Sequence, residues 1–314
     1  RSITMKNVFT FLLLLFSLLC NGQSPKLFTT DKELSSSLIN QIYQDRNGFI
    51  WIATEDGLNR YDGAKFTIYK HEPNNEHSLA HNFVRTVFED SKGHLLIGTY
   101  IGIQMYDPAT DNFTPLAKLE DTGETLESNI NSFIERKNGE IWVSGNVLCK
   151  LDIKDHLLTV RKVDIAVTSP GSLFEDKKQN VWMAKGEEGV YQLTPDNQLT
   201  LHLSKDNGYV KSICEDQRGN IYVGSIRKGL FIYDKERKTF VPVDLKEKGE
   251  LPVCFLYSGI PNELYIGTDG KGVAIYNIRT HEISEYKFDN NYFDSGNSKI
   301  HSILKDNSGN LWLA

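Results

Sequence analysis

The chain has 314 residues, a net charge of −6 at pH 7 and a pI near 5.8. Its 39% hydrophobic and 11% aromatic residues are enough for a sizeable core, which excludes an intrinsically disordered chain. The acidic balance argues against nucleic acid as a partner, because such binders usually present a basic face.

The first element is a leader. Met5-Lys6-Asn7 form a short basic region, and Val8 to Cys20 form an apolar run, "VFTFLLLLFSLLC", too short to span a bilayer as a helix. Cys20 and Gly22 place small residues at −3 and −1 of a cleavage before Gln23, so residues 1–22 read as a secretory signal peptide. Residues 1–4 precede the methionine and fall outside the start so defined. Lipoprotein processing at Cys20 is the weaker reading, because Leu19 occupies a position that requires a small residue. Export permits disulfides. Yet Cys149, Cys214 and Cys254 are odd in number, lack CxxC spacing and stand in apolar strand-like contexts. They read as buried free thiols.

From residue 38 onward the chain repeats itself. "IWIA" (50–53), "LLIG" (95–98), "IWVS" (141–144), "VWMA" (181–184), "IYVG" (221–224), "LYIG" (264–267) and "LWLA" (311–314) share one pattern, with anchors at 51, 96, 142, 182, 222, 265 and 312. The flanks keep register. Asp45, Asp90, Asp176, Asp216 and Asp306 stand six before their anchors, with Arg136 the exception and the sixth repeat blurred. Gly48, Gly93, Gly139, Gly219 and Gly309 stand three before. An Asp and a Gly so spaced suit a tight hairpin turn. Gly57, Gly102, Gly189, Gly229 and Gly272 mark the next turn.

A strand-rich period in the forties predicts an all-β fold, a β-propeller of four-stranded antiparallel blades. Six full blades fall at 38–71, 79–119, 127–164, 167–204, 208–244 and 251–288, and a truncated seventh begins near 298. Runs such as "FIWIA" are apolar without alternation, as expected of strands covered on both faces. The small residue two after each anchor predicts close approach of an adjoining blade. A doubly wound α/β sheet would need helices where the sequence shows turns. The segment "KLFTT" (26–30) reads as an extra strand pairing with the last blade, and the incomplete seventh blade marks the chain as the front part of a longer protein. The domain plan is therefore a signal peptide (1–22) and a β-propeller domain (23–314) incomplete at its C-terminal end.

No motif carries chemistry. His77 and His81 are four apart, but in a polar loop without a metalloprotease glutamate. "TDGKG" (268–272) reads as a hairpin turn rather than a phosphate loop. The acid pairs Glu55–Asp56 and Glu187–Glu188 occupy the same hairpin of their blades, so repetition accounts for them. No catalytic residue, metal or cofactor is assigned. The tips joining the second and third strands (54–56, 99–101, 145–146, 185–188, 225–228 and 268–271) differ among blades, and such variable loops are where a repeated frame carries function. Tyr100, Arg227 and Lys271 are the ligand-binding candidates, as groups able to contact sugars or acids.

Residues 37–73, "SLINQIYQDRNGFIWIATEDGLNRYDGAKFTIYKHEP", resemble the first repeat of the two-component regulator propeller. The likeness covers nearly all of the chain after the leader. It is most specific in the first, second, fifth and seventh repeats. The third and fourth depart from it at Arg136, Gln179 and the shortened "SGNVLCKLD" turn. The resemblance implies the periplasmic sensor region of a hybrid histidine kinase of a glycan-degrading bacterium. The partners it implies are an oligosaccharide, a second propeller, a β-sandwich and kinase parts of the same parent, and a second copy in a homodimer. A secreted propeller enzyme acting on glycans and a structural or protein-interaction propeller are the alternatives.

Overall fold

The computed structural model describes residues 25–203, 208–245, 251–287 and 298–314. The segment read as a signal peptide lies outside them. Blade 1 is a four-stranded antiparallel meander of Ile39–Gln44, Ile50–Thr54, Gly57–Tyr61 and Phe66–Tyr69. Blades 2 to 6 repeat it within residues 84–113, 132–162, 173–203, 210–242 and 253–285. Blade 7 is a two-stranded hairpin of Ile303–Lys305 and Leu311–Leu313. No helix occurs among the described residues, and none is long and apolar enough to cross a membrane.

The sheets close into a ring. The first strand of each blade touches the first strand of the next, from blade 1 through blade 7 and back to blade 1, so the first strands line the axis. The apolar residues form seven clusters, each shared by two adjacent blades. Trp51 and Leu58 of blade 1 pack with Val87 and Ile97 of blade 2, and Ile42 and Ile52 pack with Leu304 and Trp312 of blade 7. A second strand is therefore covered on both faces. Ile50–Thr54 and Leu95–Thr99 are buried throughout, which is why these segments do not alternate.

Small residues set the blade spacing. A Cβ on Gly98 would lie 2.6 Å from a methyl of Ile130 in the next blade, and one on Gly224 would lie 2.4 Å from Cγ1 of Val253. Such overlap leaves room for no side chain there.

The Asp at each first turn acts as a three-way acceptor. Asp45 accepts the backbone N–H groups of Asn47 and Phe49 at 3.0 and 2.9 Å and the indole N–H of Trp51 at 2.8 Å. Asp176 does the same for Lys178, Asn180 and Trp182, and Asp306 for Ser308, Asn310 and Trp312. Burial by itself would push the Asp306 carboxyl up, but these donors outweigh it and hold it below its usual range. Each of these three carboxylates thus closes a turn and orients the core tryptophan six residues on.

Blade 3 solves the same problem differently. Arg136 stands where Asp is expected, so Glu140 takes the indole N–H of Trp142 at 3.0 Å. Arg136 lies over the Trp142 ring, 4.6 Å from its centroid, and pairs with Glu175 at 2.9 Å. Burial opposes ionisation of Glu140, yet Lys150, Trp142 and Asn138 lower its pKa to about 2. In blade 6 the Asp is replaced by a tight Pro261–Asn262 link between paired Ile260 and Glu263, with Asn262 left-handed at φ 61°.

In blade 4 the turn glycine is Gln179, held at φ 67° where blades 1, 2, 3, 5 and 7 have Gly. A left-handed non-glycine residue is strained by about 1–2 kcal/mol, partly offset because Gly is freer in the unfolded chain. Gln179→Gly is expected to stabilise the protein by about 0.5–1 kcal/mol, read as a higher urea midpoint. An unchanged or lower midpoint would show that the turn is unstrained.

Two expectations need correction. Residues 26–30 form no strand; the chain there makes a turn in which Glu33 and Leu34 donate N–H to the Thr29 carbonyl at 3.0 Å. The contact with the last blade is aromatic instead. Phe28 stacks on Trp312 at 5.7 Å and touches Tyr61 and Phe66. Blade 2 also ends earlier than 119. Its fourth strand is only Asn112–Phe113, and Lys118–Leu119 pairs parallel with Thr159 and Val160, giving blade 3 a fifth, outer strand. Thr114 explains the early ending: its hydroxyl accepts the Met105 N–H that a longer fourth strand would use.

The three cysteines are buried and free. Burial pushes the Cys149 thiol up to about 11 and Cys214 to about 12, so neither offers a thiolate at neutral pH.

Candidate functional site

The turns joining second and third strands share one face of the ring with the connections between blades. Gly57 of the blade 1 turn donates its N–H to Asn82 O at 2.7 Å on the way into blade 2, and Tyr100 of the blade 2 turn donates to Phe83 O at 3.0 Å. Buried Thr54, Thr99 and Thr268 cap these turns through hydroxyl bonds to Gly57, Gly102 and Gly272 carbonyls. The "TDGKG" segment is such a turn. His77 and His81 are turned apart: His77 Nδ1 meets the Phe113 carbonyl at 3.1 Å, and His81 Nδ1 accepts the Phe83 N–H at 2.9 Å.

The structure does not bring Tyr100, Arg227 and Lys271 together in one constellation. Tyr100 is 54% exposed and forms an aromatic patch with His81 and Phe83, at 5.6 and 6.0 Å between ring centroids. Arg227 pairs with Glu187 of the neighbouring blade 4 turn at 3.1 Å, an exposed ion pair of little energetic weight. Lys271 shares its turn with Asp269, which pairs with Lys299 at 3.2 Å. A cleft of about 750 Å³ opens between blade 3 and the connection that enters it, lined among others by Lys118, Glu124, Ser128, Asn146 and Lys162.

A second arrangement on this face escaped the sequence reading. In each blade the first strand has one extra residue opposite the end of the second strand. In blades 1, 2, 5 and 6 the pairing skips Asn40, Arg85, Lys211 and Cys254. In blade 3, Asn131 donates to the Ser144 carbonyl although Ser132 already pairs with Ser144. Gly171 against Ala184, and His301 against Ala314, repeat this in blades 4 and 7. These are β-bulges, which re-aim a side chain. All seven stand eleven residues before their anchors, a constant offset that was readable but hidden by the diversity of the residues occupying it. Because first strands line the axis, the bulges form a ring at the mouth of the axial channel.

The side chains from that ring behave accordingly. Asn40 Nδ2 donates to the Val84 carbonyl of the next blade at 2.8 Å, and Asn131 Nδ2 to the Pro170 carbonyl at 3.1 Å. Lys211 of blade 5 reaches past blade 6 to His301 of blade 7, Nζ to Nδ1 3.1 Å. Arg85 of blade 2 lies over Phe83, 5.6 Å from the ring centroid, and close enough to Lys211 to disfavour its charge. Burial, then Lys211 and Lys299, lower the His301 pKa to about 4, so its imidazole is neutral and accepts the lysine's proton. No group of three or more His, Cys, Asp or Glu that could hold a metal occurs among the described residues.

Residues 33–56, 78–100 and 204–227 match the family described as Two component regulator propeller. Three of the chain's blades match two-component regulator propeller repeats. The matched segments fall in blades 1, 2 and 5, three of the four repeats in which the pattern is fullest; the seventh is not among them. The same fold is found in solved extracellular domains. It superposes on the extracellular domain of the hybrid two-component system BT3049 of B. thetaiotaomicron with a TM-score of 0.77 at 22% identity, covering 92% of this chain and 40% of that one. For the extracellular domain of BT4673 from the same bacterium the TM-score is 0.75 at 17% identity, over 93% and 42% of the two chains. At 14% identity the ring also matches virginiamycin B lyase of Staphylococcus aureus, TM-score 0.68, over 93% and 94%. In sequence, 83 residues are 37% identical to Histidine kinase P4 of Formosa agariphila, which is 24% of this chain and 6% of that kinase. The chain therefore spans a small part of the kinase it matches and about two fifths of the two extracellular domains.

Proposed function

We propose that this propeller is part of the extracytoplasmic sensing region of a hybrid two-component regulator, and that it perceives or relays a glycan-derived signal to a histidine kinase in the same parent chain. The observation that carries the reading is the coincidence of regulator-propeller repeats with a ring matching, over more than nine tenths of the chain, the extracellular domains of hybrid two-component systems. In the parent, the signal peptide at 1–22 places the blades on the periplasmic side of the inner membrane. A homodimer of parents, with a further propeller and a β-sandwich between ring and membrane, would carry the signal. The region itself does no chemistry. Propellers host many activities, and the lyase likeness is one of fold alone.

The gene past Ala314 tests this directly. The expected content is further propeller, a membrane helix and a kinase core; a stop codon after one or two more blades would overturn the regulator reading. With the parent in hand, in-frame deletion of residues 23–314 is expected to abolish transcriptional induction by at least one polysaccharide that the wild-type cell senses. Unchanged induction across the panel would refute a sensory role for these blades.

A further inference from the structure

The bulge ring concentrates positive charge in a chain that is acidic overall. Of its seven positions, Arg85, Lys211 and His301 carry basic groups and none is acidic. Lys299, two residues before His301, adds a fourth. Among the described residues the carboxylate recorded against this cluster is Asp269, 3.2 Å from Lys299 Nζ. Lys211 is open to solvent, yet burial among surrounding protein depresses its pKa and Lys299 and Arg85 add to that effect, opposed by Asp269. A side chain both wetted and surrounded belongs to a channel. Outer-surface lysines are wetted but not enclosed.

This arrangement costs folding free energy. Like charges gathered in a partly desolvated space repel one another, and a ring of bulges could as readily display Asn, Gly or Cys, as it does in four blades. Groups whose convergence destabilises the free protein are characteristic of binding sites. The hydrogen-bond geometry also suits one class of guest. His301 Nδ1 is taken by the Lys211 ammonium, so the neutral ring carries its proton on Nε2 and offers it as a donor. The Arg85 guanidinium presents a planar fork of donors. The ammonium of Lys211 keeps two further N–H groups. Every one of these is a donor, and low-dielectric channel walls focus their field.

We propose that the mouth of the axial channel is an anion-binding site, in which Arg85, Lys211 and His301 hold the carboxylate, sulfate ester or phosphate group of a small ligand and Lys299 stands at the rim. The aromatic patch of Phe83, on which Arg85 rests, and Tyr100 beyond it flank the site and offer an apolar surface to the remainder of such a ligand. This goes beyond the sensor reading and does not depend on it: the anion site concerns these seven bulges whether or not a kinase follows.

The test is calorimetric titration of the purified chain, with thermal unfolding in parallel, against four probes: inorganic sulfate, inorganic phosphate, a uronic acid disaccharide and its neutral counterpart. The expected result is saturable binding of anionic probes, a rise in Tm with their concentration, and none with the neutral sugar. The uronate arm against the inorganic arms shows whether the anion is carried on a saccharide or free. Lys211→Met and Arg85→Met are each expected to weaken binding about tenfold or more and to leave the unliganded Tm unchanged or raised, because repulsion is relieved. Arg279→Met, on an exposed turn outside the ring, should change neither. Equal binding of the neutral sugar, no anion binding, or anion binding untouched by both ring substitutions would overturn the proposal. Should Lys211→Met fail to fold, Arg85→Met reads the same site from the opposite side of the channel.

Discussion

Asp176→Ala is expected to destabilise the protein by about 3–5 kcal/mol, measured as a fall in the urea midpoint followed by tryptophan fluorescence. The carboxylate is buried and accepts from the backbone N–H groups of Lys178 and Asn180, the Asn180 amide and the Trp182 indole, at 2.8 to 2.9 Å. Alanine leaves the Asn180 and Trp182 donors without a partner, the latter in an interior that Trp182 shares with Phe240 and Tyr233 of blade 5. Each buried donor so stranded costs about 1–3 kcal/mol. Asp176→Asn keeps one acceptor oxygen but turns an N–H group toward other donors, and should cost an intermediate amount. Asp196→Ala, at an exposed turn where the carboxylate accepts from Thr194, should stay within about 0.5 kcal/mol. A loss below about 1 kcal/mol at Asp176 would mean that water replaces the carboxylate and that the turn does not depend on it.

Gly224→Ala is the second large effect, and it tests how the blades are spaced. A single methyl there meets Val253 Cγ1 at 2.4 Å and Val253 Cβ at 3.1 Å across the blade 5–6 boundary. Val253 is fully buried among Tyr222, Leu230 and Leu256, so it has nowhere to retreat. Overpacking of this kind costs about 1–3 kcal/mol. Val253→Ala alone leaves a cavity and costs about 1–3 kcal/mol. If the two side chains contend for one space, the double substitution costs less than the sum by at least about 1 kcal/mol. Simple additivity in denaturant unfolding would show that the contact does not set the blade spacing.

Much of the ring was legible because its physics is local and repeats. An Asp and a Gly three apart specify a turn within six residues, and an unbroken run such as "FIWIA" reports cover on both faces without naming the neighbour. The missed features depend on distant partners. Lys118 and Leu119 look like the end of blade 2, but their backbone pairs with residues some forty positions later. Phe28 sits in a segment with strand composition, yet what it needed was a flat aromatic surface, found on Trp312. The exception at Arg136 was visible as a gap; that Glu140 would fill it required knowing where the Trp142 indole points.

The candidate site divides along the same line. The variable turns were identifiable by register, whereas the contacts of Tyr100 with His81 and Phe83 depend on the fold. Arg227 is engaged by Glu187, a partner one blade away that no local pattern announces. The bulge ring was within reach of a register argument at eleven residues before each anchor, but Asn, Arg, Asn, Gly, Lys, Cys and His share no chemistry that would flag the column.

By itself the amino-acid sequence determined the repeat, the four-stranded meander, the turn chemistry and the two-sided burial of the second strands, since each follows from interactions within one blade's length of chain. Only the tertiary structure decided that seven first strands meet around one axis, that Lys211 and His301 touch across an intervening blade, and that Arg85 of blade 2 comes near them. Those contacts join residues 90 and more positions apart, and closing a ring brings together groups that no periodicity along the chain relates.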